Sequence, residues 1–162
     1  MATEMKTKES SVEDSTLKLR PLEKEDFKKG YLELLSQLTQ VGEITEKQFN
    51  ETFDVINSNK SSQVIYVIES TTEKKIVATG TLLAEQKFIH GCGKCGHIED
   101  VVVDNSYRGK HFGQRIISKL VEIAKADGKI YKVILDCNDK NIEFYKKCGF
   151  DWKGNEMALY FN

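Results

Sequence analysis

The sequence predicts an α/β (α+β) domain in which helices flank a mixed, mostly antiparallel central sheet. Three β-branched segments, at residues 63–69, 75–89 and 98–103, follow one another with only turn residues between them. Consecutive strands of this kind pair as antiparallel neighbours. A helical pattern then separates the third segment from a further strand at residues 131–137, which favours a helical crossover. The chain has 162 residues and no internal repeat, so one core is expected.

The front of the chain predicts a tail, a short strand and two helices. Residues 1–15 are polar and without period, so we expect a disordered tail followed by one domain over residues 16–162. A strand at residues 17–20 ends at the single proline. Asp26 is a candidate N-cap for a helix through residue 38, which Gly42 ends. A second helix starts near Thr45, with Thr45 and Gln48 forming a capping box.

The back of the chain predicts two more helices and two more strands. Apolar residues at helical spacing follow Gly113, and the sequence Asp127-Gly128 predicts the end of that helix. A short helix is expected at residues 141–147. A last strand is expected at residues 157–161, where the chain is apolar.

Charge and composition exclude several classes of protein. The net charge is −1, with 24 basic and 25 acidic residues, so no strong field favours nucleic acid as a partner. No apolar run is long enough to insert into a membrane, and the N-terminus lacks the apolar region of a signal peptide. The expected location is therefore cytoplasmic, and the four cysteines are expected to be reduced.

Residues 97–113 contain two candidate acid/base carboxylates and a candidate phosphate-binding segment. Two carboxylates, Glu99 and Asp100, lie within a strand, although a buried charge is costly unless it is paired or used. Neighbouring strand residues point to opposite faces, so at most one of the two is expected to face a given cleft. The segment 108–113 is basic, contains glycine and opens a helix. Free N–H groups and the positive end of the helix dipole suit such a segment to binding phosphate.

The segment from His90 to His97 matches two other motifs by spacing. Two cysteines between two histidines resemble a zinc site, but all four candidate ligands lie within eight residues and we expect a glycine-rich turn instead. Residues 91–96 match the dinucleotide-binding fingerprint literally. That fingerprint must follow a strand and open a helix, whereas this segment precedes a strand.

The joint pattern resembles the GNAT acetyltransferase superfamily. Tyr107-Arg108 with Gly113 at the start of a helix is similar to its acetyl-CoA pyrophosphate loop, in which glycine stands where this chain has His111. The segment 141–150, Asn-Ile-Glu-Phe-Tyr-Lys-Lys-Cys-Gly-Phe, is similar to its second hallmark. Blocks at residues 38–42, 87–90, 96–101, 135–137 and 144–150 resemble the eukaryotic glucosamine-6-phosphate N-acetyltransferase family in particular.

The resemblance implies the GNAT fold, a homodimer, acetyl-CoA as cosubstrate, no metal, and acetyl transfer to the amine of glucosamine 6-phosphate in UDP-GlcNAc biosynthesis. The candidate catalytic residues are Glu99, Asp136 and Tyr145. The candidate cofactor-binding residues are Asp100, Val101, Val102, Val103, Arg108, Gly109, Lys110, His111, Phe112, Gly113, Gln114, Asn141 and Tyr145. The candidate substrate-binding residues are Thr39, Lys87, His90, Glu99, Asp100, Lys132, Asp136 and Tyr160.

Two alternatives stay open from the sequence. One is a GNAT enzyme that acts on another amine, such as a protein N-terminus or a polyamine. The other is a non-catalytic CoA-binding dimerisation module. Either Glu99 or Asp136 could act as the base, directly or through water. Cys137, next to Asp136, is a candidate for a mixed disulfide with CoA.

Overall fold

The computed structural model describes residues 16–154 and 156–161, and within them five strands form one sheet in chain order. The strands are β1 Leu17–Pro21, β2 Gln63–Ser70, β3 Lys75–Gln86, β4 Lys94–Val103 and β5 Ile130–Ile134. The pairs from β1 to β4 are antiparallel, and β5 joins β4 in parallel. The predicted mixed, mostly antiparallel sheet is confirmed. The predicted tail at residues 1–15 lies outside the described residues.

Within the described chain, four α-helices of five or more residues connect or flank these strands, and a single helical turn at Ile89–Cys92 follows β3, which ends at Gln86 rather than at residue 89. The four helices are α1 Tyr31–Leu35, α2 Glu46–Ser58, α3 Phe112–Asp127 and α4 Ile142–Lys147. The Thr45 and Gln48 capping box starts α2 as predicted, and Gly128 ends α3 with a φ of 72°. No helix among the described residues has the length and apolar character needed to cross a bilayer.

Helices cover the sheet on both faces. On one face, α3 buries Ile116, Ile117 and Leu120 completely or almost completely against the sheet. Gly80 on β3 permits this approach, because a Cβ there would lie 2.6 Å from the Ile116 side chain. Each such buried aliphatic side chain contributes roughly 1.5–3 kcal/mol. On the other face, Leu34 of α1 and Phe49 of α2 belong to a second apolar cluster.

An ionic cluster joins β1, the following turn and β2. Asp26 is fully buried and accepts two hydrogen bonds from the Arg20 guanidinium, at 2.7 and 2.8 Å. Arg20 also donates to Glu69 at 2.7 and 3.0 Å, and Lys29 lies 2.8 Å from that carboxylate. Asp26 therefore does not cap a long helix. Its segment, Lys24–Lys29, is a 3-10 helix that Gly30, at a φ of 75°, separates from the short α1.

The C-terminal part of the chain differs from the prediction. Residues 157–161 form no strand, although their composition is apolar, and they are exposed. β5 ends at Ile134 rather than at residue 137. Asp136 and Cys137 therefore lie beyond the strand, in the segment that leads to α4.

Candidate active site

The pairing of β3 with β4 is interrupted at the two predicted carboxylates. Thr79 pairs with Val102 and Thr81 pairs with Glu99, so Gly80 faces both Asp100 and Val101. Asp100 is the extra residue of this β-bulge and has a φ of 52°. The bulge breaks the alternation of side chains, and both Glu99 and Asp100 are exposed. Ile98 and Val101, which flank the two carboxylates, both pack into the cluster on the α3 side, so the regular alternation is interrupted at this point.

The other edge of β4 is open beside the bulge. β5 pairs with β4 from Lys94 to His97, and its last partner is Ile134. β4 continues for a further six residues to Val103 without a strand on that side among the described residues. An edge of this kind offers backbone N–H and C=O groups to an extended ligand. Val102 is buried, whereas Val101 and Val103 are half-buried against the α3 side of the sheet.

The Glu99 carboxylate lies among other acids. Burial raises the pKa of Glu99, and the carboxylates of Asp100 and Asp136 act in the same direction, while His97 opposes them. A carboxyl group with a raised pKa is a stronger base at neutral pH than an ordinary glutamate. The two candidate bases, Glu99 and Asp136, are thus brought close enough to interact electrostatically.

His97, which acts on this carboxylate, and its partner Glu85 were not singled out for a catalytic site from the sequence. His97 Nε2 lies 3.0 Å from a carboxylate oxygen of Glu85 on the neighbouring strand, and Glu85 also pairs with Lys87. The sequence assigns His97 no catalytic or binding role, although it lies in the family-like block at residues 96–101. Its position two residues before Glu99, on the same side of a strand, was the available signal.

The basic segment lies between the end of β4 and the first turn of α3. Arg108, Gly109, Lys110 and His111 are all exposed there, while Phe112 and Gly113 are buried at the start of the helix. His111 has a φ of 62° and a ψ of 15°, and its Nδ1 lies 2.6 Å from the side-chain oxygen of Gln114. The 16-residue α3 therefore presents its N-terminal N–H groups beside two exposed cations.

Close packing joins α3 to the segment of the second hallmark. A Cβ at Gly113 would lie 3.0 Å from the Phe144 ring, so glycine allows α4 to pack there. Asn141 precedes α4 at the N-cap position. Tyr145 is half-buried and packs edge-on against Phe144 and Phe150.

The Tyr145 hydroxyl lies near two thiols. Burial raises the pKa of Tyr145 to about 12, with smaller contributions from Cys137 and Cys148, so the hydroxyl is protonated at neutral pH. Burial raises the pKa of both thiols as well. The Tyr145 environment thus holds a phenolic proton and suppresses thiolate formation.

The candidate substrate residues fall into separate groups. His90 stacks on Tyr131 with ring centroids 3.9 Å apart, and the Lys132 ammonium lies 5.9 Å from the same ring. Thr39 is exposed just after α1. Tyr160 is exposed in the C-terminal segment, which itself forms no strand.

The zinc-like spacing does not assemble a metal site. Cys92 is exposed in the turn, Cys95 is buried, and the two flanking histidines contact Tyr131 and Glu85. Within residues 16–154 and 156–161, no group of three or more potential ligands is suitably placed for a metal ion.

Comparisons with known proteins agree with this geometry. The model of the acetyltransferase (GNAT) family matches residues 19–150. The chain is 47% identical over 151 residues to glucosamine 6-phosphate N-acetyltransferase 1 of Dictyostelium discoideum, covering 93% of this chain and 95% of the relative. It is 48% identical over 147 residues to the Arabidopsis thaliana glucosamine 6-phosphate N-acetyltransferase, covering 91% and 98%.

Solved structures give the same result. The crystal structure of the Arabidopsis thaliana enzyme superimposes with a TM-score of 0.89 at 47% identity, covering 91% of this chain and 99% of that one. A Trypanosoma brucei acetyltransferase superimposes with a TM-score of 0.83 at 36% identity, covering 90% and 99%. The open edge of β4, the basic start of α3 and these matches lead to one conclusion: the chain belongs to the acetyltransferase (GNAT) family.

Proposed function

We propose that the protein transfers the acetyl group of acetyl-CoA to the amine of D-glucosamine 6-phosphate, giving N-acetyl-D-glucosamine 6-phosphate and CoA. The observation that carries the proposal is the β-bulge at Asp100, which exposes Glu99 beside the open edge of β4. The curated relatives that carry this activity in their names are 41–48% identical over most of the chain. On this proposal the enzyme serves UDP-GlcNAc biosynthesis.

Acetyl-CoA is proposed to lie along β4. The open edge from Val101 to Val103 would pair with the pantetheine arm as an added strand does. The pyrophosphate would lie against the N-terminus of α3, where Arg108 and Lys110 add positive charge. His111 occupies the position where the family loop has glycine, and its backbone is left-handed, a conformation that glycine adopts without steric cost.

The reaction itself requires one proton acceptor and one proton donor. The amine nitrogen attacks the thioester carbon, and the tetrahedral oxyanion would be held by backbone N–H groups at the bulge. Sugar amines titrate near about 7.7–8.0, as α-amino groups do, so a carboxylate base suffices. We assign the base to Glu99, with Asp136 nearby, directly or through water. As the C–S bond breaks, Tyr145 would donate its proton to the CoA sulfur.

The acceptor is proposed to bind between the turn that follows β3 and the end of α1. Lys87, His90 and Lys132 would meet the sugar phosphate from one side, and Thr39 from the other. Phosphate binding by lysine is a point-charge interaction and tolerates this mixed set of side chains. Mutation of each of these residues tests its contact with the acceptor separately.

We further propose a homodimer that uses the C-terminal segment. Four apolar side chains there, Met157, Leu159, Tyr160 and Phe161, are 79–96% exposed, which is unusual for a segment that remains alone. A second copy would pair with this segment as a strand and place Tyr160 near the partner's sugar site. All four cysteines are free, which suits the reducing cytoplasm that we propose as the location.

A thiol-release assay tests the activity. The enzyme is given acetyl-CoA with glucosamine 6-phosphate, with a polyamine, or with a peptide that has a free N-terminus. Release of CoA is expected with glucosamine 6-phosphate, and the Glu99→Gln variant controls for a contaminating activity. Release of CoA only with another amine would assign a different acceptor. No release with any amine would favour the alternative of a non-catalytic CoA-binding module. Light scattering at micromolar concentration tests the dimer, with a chain ending at Lys153 as the monomeric control.

A further inference from the structure

Gln37 connects two segments that are far apart in sequence. Its side-chain Nε2 donates to Asp104 Oδ2 at 3.2 Å, and its Oε1 accepts from the backbone N–H of Asn105 at 2.9 Å. The nitrogen and the oxygen of one side-chain amide therefore both form hydrogen bonds, with residues that are 67 and 68 positions away in the sequence. The amide joins the chain just after α1 to the chain just after β4.

Asp104 is the partner of Gln37 that is held most firmly in place. Its carboxylate is almost fully buried and accepts from Lys75 at 2.6 Å and from the Ser106 N–H at 2.9 Å, in addition to the Gln37 amide. These donors hold the pKa of Asp104 well below its usual range. A buried carboxylate with several donors keeps a defined orientation. Asp104 therefore holds the start of the segment that leads to the basic cofactor loop at residues 108–113.

Thr39 lies close to the other end of the connection. The backbone N–H groups of Gln37, Leu38 and Thr39 all donate to carbonyl groups at the end of α1, at 2.9–3.2 Å. Thr39 is thus held in a hydrogen-bonded turn two residues from Gln37. A change in the position of Gln37 would be transmitted to Thr39 through this short turn.

We propose that Gln37 is a positioning residue that couples cofactor binding to acceptor binding. CoA, by ordering the loop that follows Asp104, would favour the Gln37 contacts and so order residues 37–42 for the acceptor. The two ligands would then each raise the affinity for the other by the same factor. This inference rests on the proposed function for the identity of the acceptor, but the effect of CoA on residues 37–42 does not depend on it.

Hydrogen exchange tests the cofactor half of the coupling. In the wild-type enzyme, saturating CoA is expected to slow amide exchange severalfold at residues 37–42 as well as at the cofactor loop. In Gln37→Ala the cofactor loop should still be protected by CoA, while residues 37–42 should exchange as in the free enzyme. The matched control is Gln40→Ala, which removes the same type of side chain from an exposed position three residues along and should behave as wild type.

Calorimetry tests the acceptor half. The Kd of glucosamine 6-phosphate is measured with and without saturating CoA, which as a product permits no turnover. The ratio is expected to be about fivefold or more in the wild type and close to one in Gln37→Ala. A merely structural role would lower stability, or weaken both ligands, without changing the ratio.

The failure of each proposal has a distinct signature. Protection of residues 37–42 by CoA that persists in Gln37→Ala, or that is missing from the wild type, overturns the coupling whatever the acceptor is. Protection that behaves as expected, with no binding of glucosamine 6-phosphate to any form, supports the coupling and overturns the proposed acceptor.

Discussion

Replacement of His111 by glycine tests the backbone of the cofactor loop. His111 has a φ of 62°, a left-handed conformation that costs an L-residue about 1–2 kcal/mol. Glycine removes this cost, but its freedom in the unfolded chain costs about 0.4–1 kcal/mol. It also loses the exposed bond between the His111 ring and Gln114, which contributes at most about 0.5–1.5 kcal/mol. We therefore expect His111→Gly to have nearly the stability of the wild type.

The alanine variant is the matched control for this prediction. His111→Ala keeps the left-handed cost and loses the same side-chain bond, so it should be about 1 kcal/mol less stable than His111→Gly. For a domain of this size that difference is roughly 2–4 °C in Tm. Thermal unfolding followed by circular dichroism measures it. A glycine variant that melts below the alanine variant would refute the argument from backbone conformation.

The same pair of variants separates a backbone role from a side-chain role in cofactor binding. Removal of the His111 side chain exposes N–H groups at the start of α3, so CoA should bind His111→Gly at least as tightly as the wild type. Calorimetric titration with CoA gives the affinity. A tenfold loss in both variants would mean that the imidazole itself contacts the cofactor and that the proposed phosphate cradle is incomplete without it.

Three further predictions concern the reaction, the effect of acid and the thiols. Tyr145→Phe should lower turnover by about a hundredfold with the Kd of CoA unchanged, and a wild-type rate across the pH range would exclude Tyr145 as proton donor. The pKa of Asp104 is lower in the folded protein than in the unfolded chain, where it is about 3.9, so the carboxylate stabilises the fold above that pH and the stabilisation is lost as the pH falls further. Between about pH 4 and 2, the free energy of unfolding by urea should therefore depend less on pH in Asp104→Asn than in the wild type. An equal pH dependence in the two proteins would contradict this. Because the pKa of Cys137 is raised, oxidised CoA should form a mixed disulfide with it slowly at neutral pH and faster at alkaline pH, and a CoA-sized mass increase that survives Cys137→Ser would assign the adduct elsewhere.

Local signals account for the parts of the fold that the sequence predicted well. The capping box at Thr45 and the glycine at the end of α3 act within one helical turn, so the sequence contains the whole cause. The break at Gly30 is different. The apolar residues on either side of Gly30 keep helical spacing. The chain nevertheless turns there, because Gly30 has a left-handed backbone and the ion pair between Asp26 and Arg20 holds the preceding segment. Tertiary contacts here override the periodicity.

The remaining features that the sequence did not predict have a common cause: they depend on contacts between residues that are far apart in the chain. The apolar segment at residues 157–161 has the composition of a strand, yet a strand exists only where another backbone pairs with it. Gln37 gave no signal in the sequence, because its two partners lie almost 70 residues away. The carboxylates at 99 and 100 were found from their types, but their exposure depends on a bulge that strand alternation does not foresee.

That bulge also explains why the chemistry lies where it does. In a regular β4, side chains would alternate across the sheet, and Glu99 and Asp100 would point to opposite faces. Instead Asp100 takes a left-handed conformation, at a cost of about 1–2 kcal/mol that aspartate tolerates better than most residues. His111, eleven residues further along the chain, carries a similar cost. Strain of this kind persists only where the surrounding structure fixes it. Here Asp104, which lies between the two residues, supplies that restraint through its buried hydrogen bonds. The residue that holds the loop is therefore as much a condition of the reaction as the groups that would exchange protons.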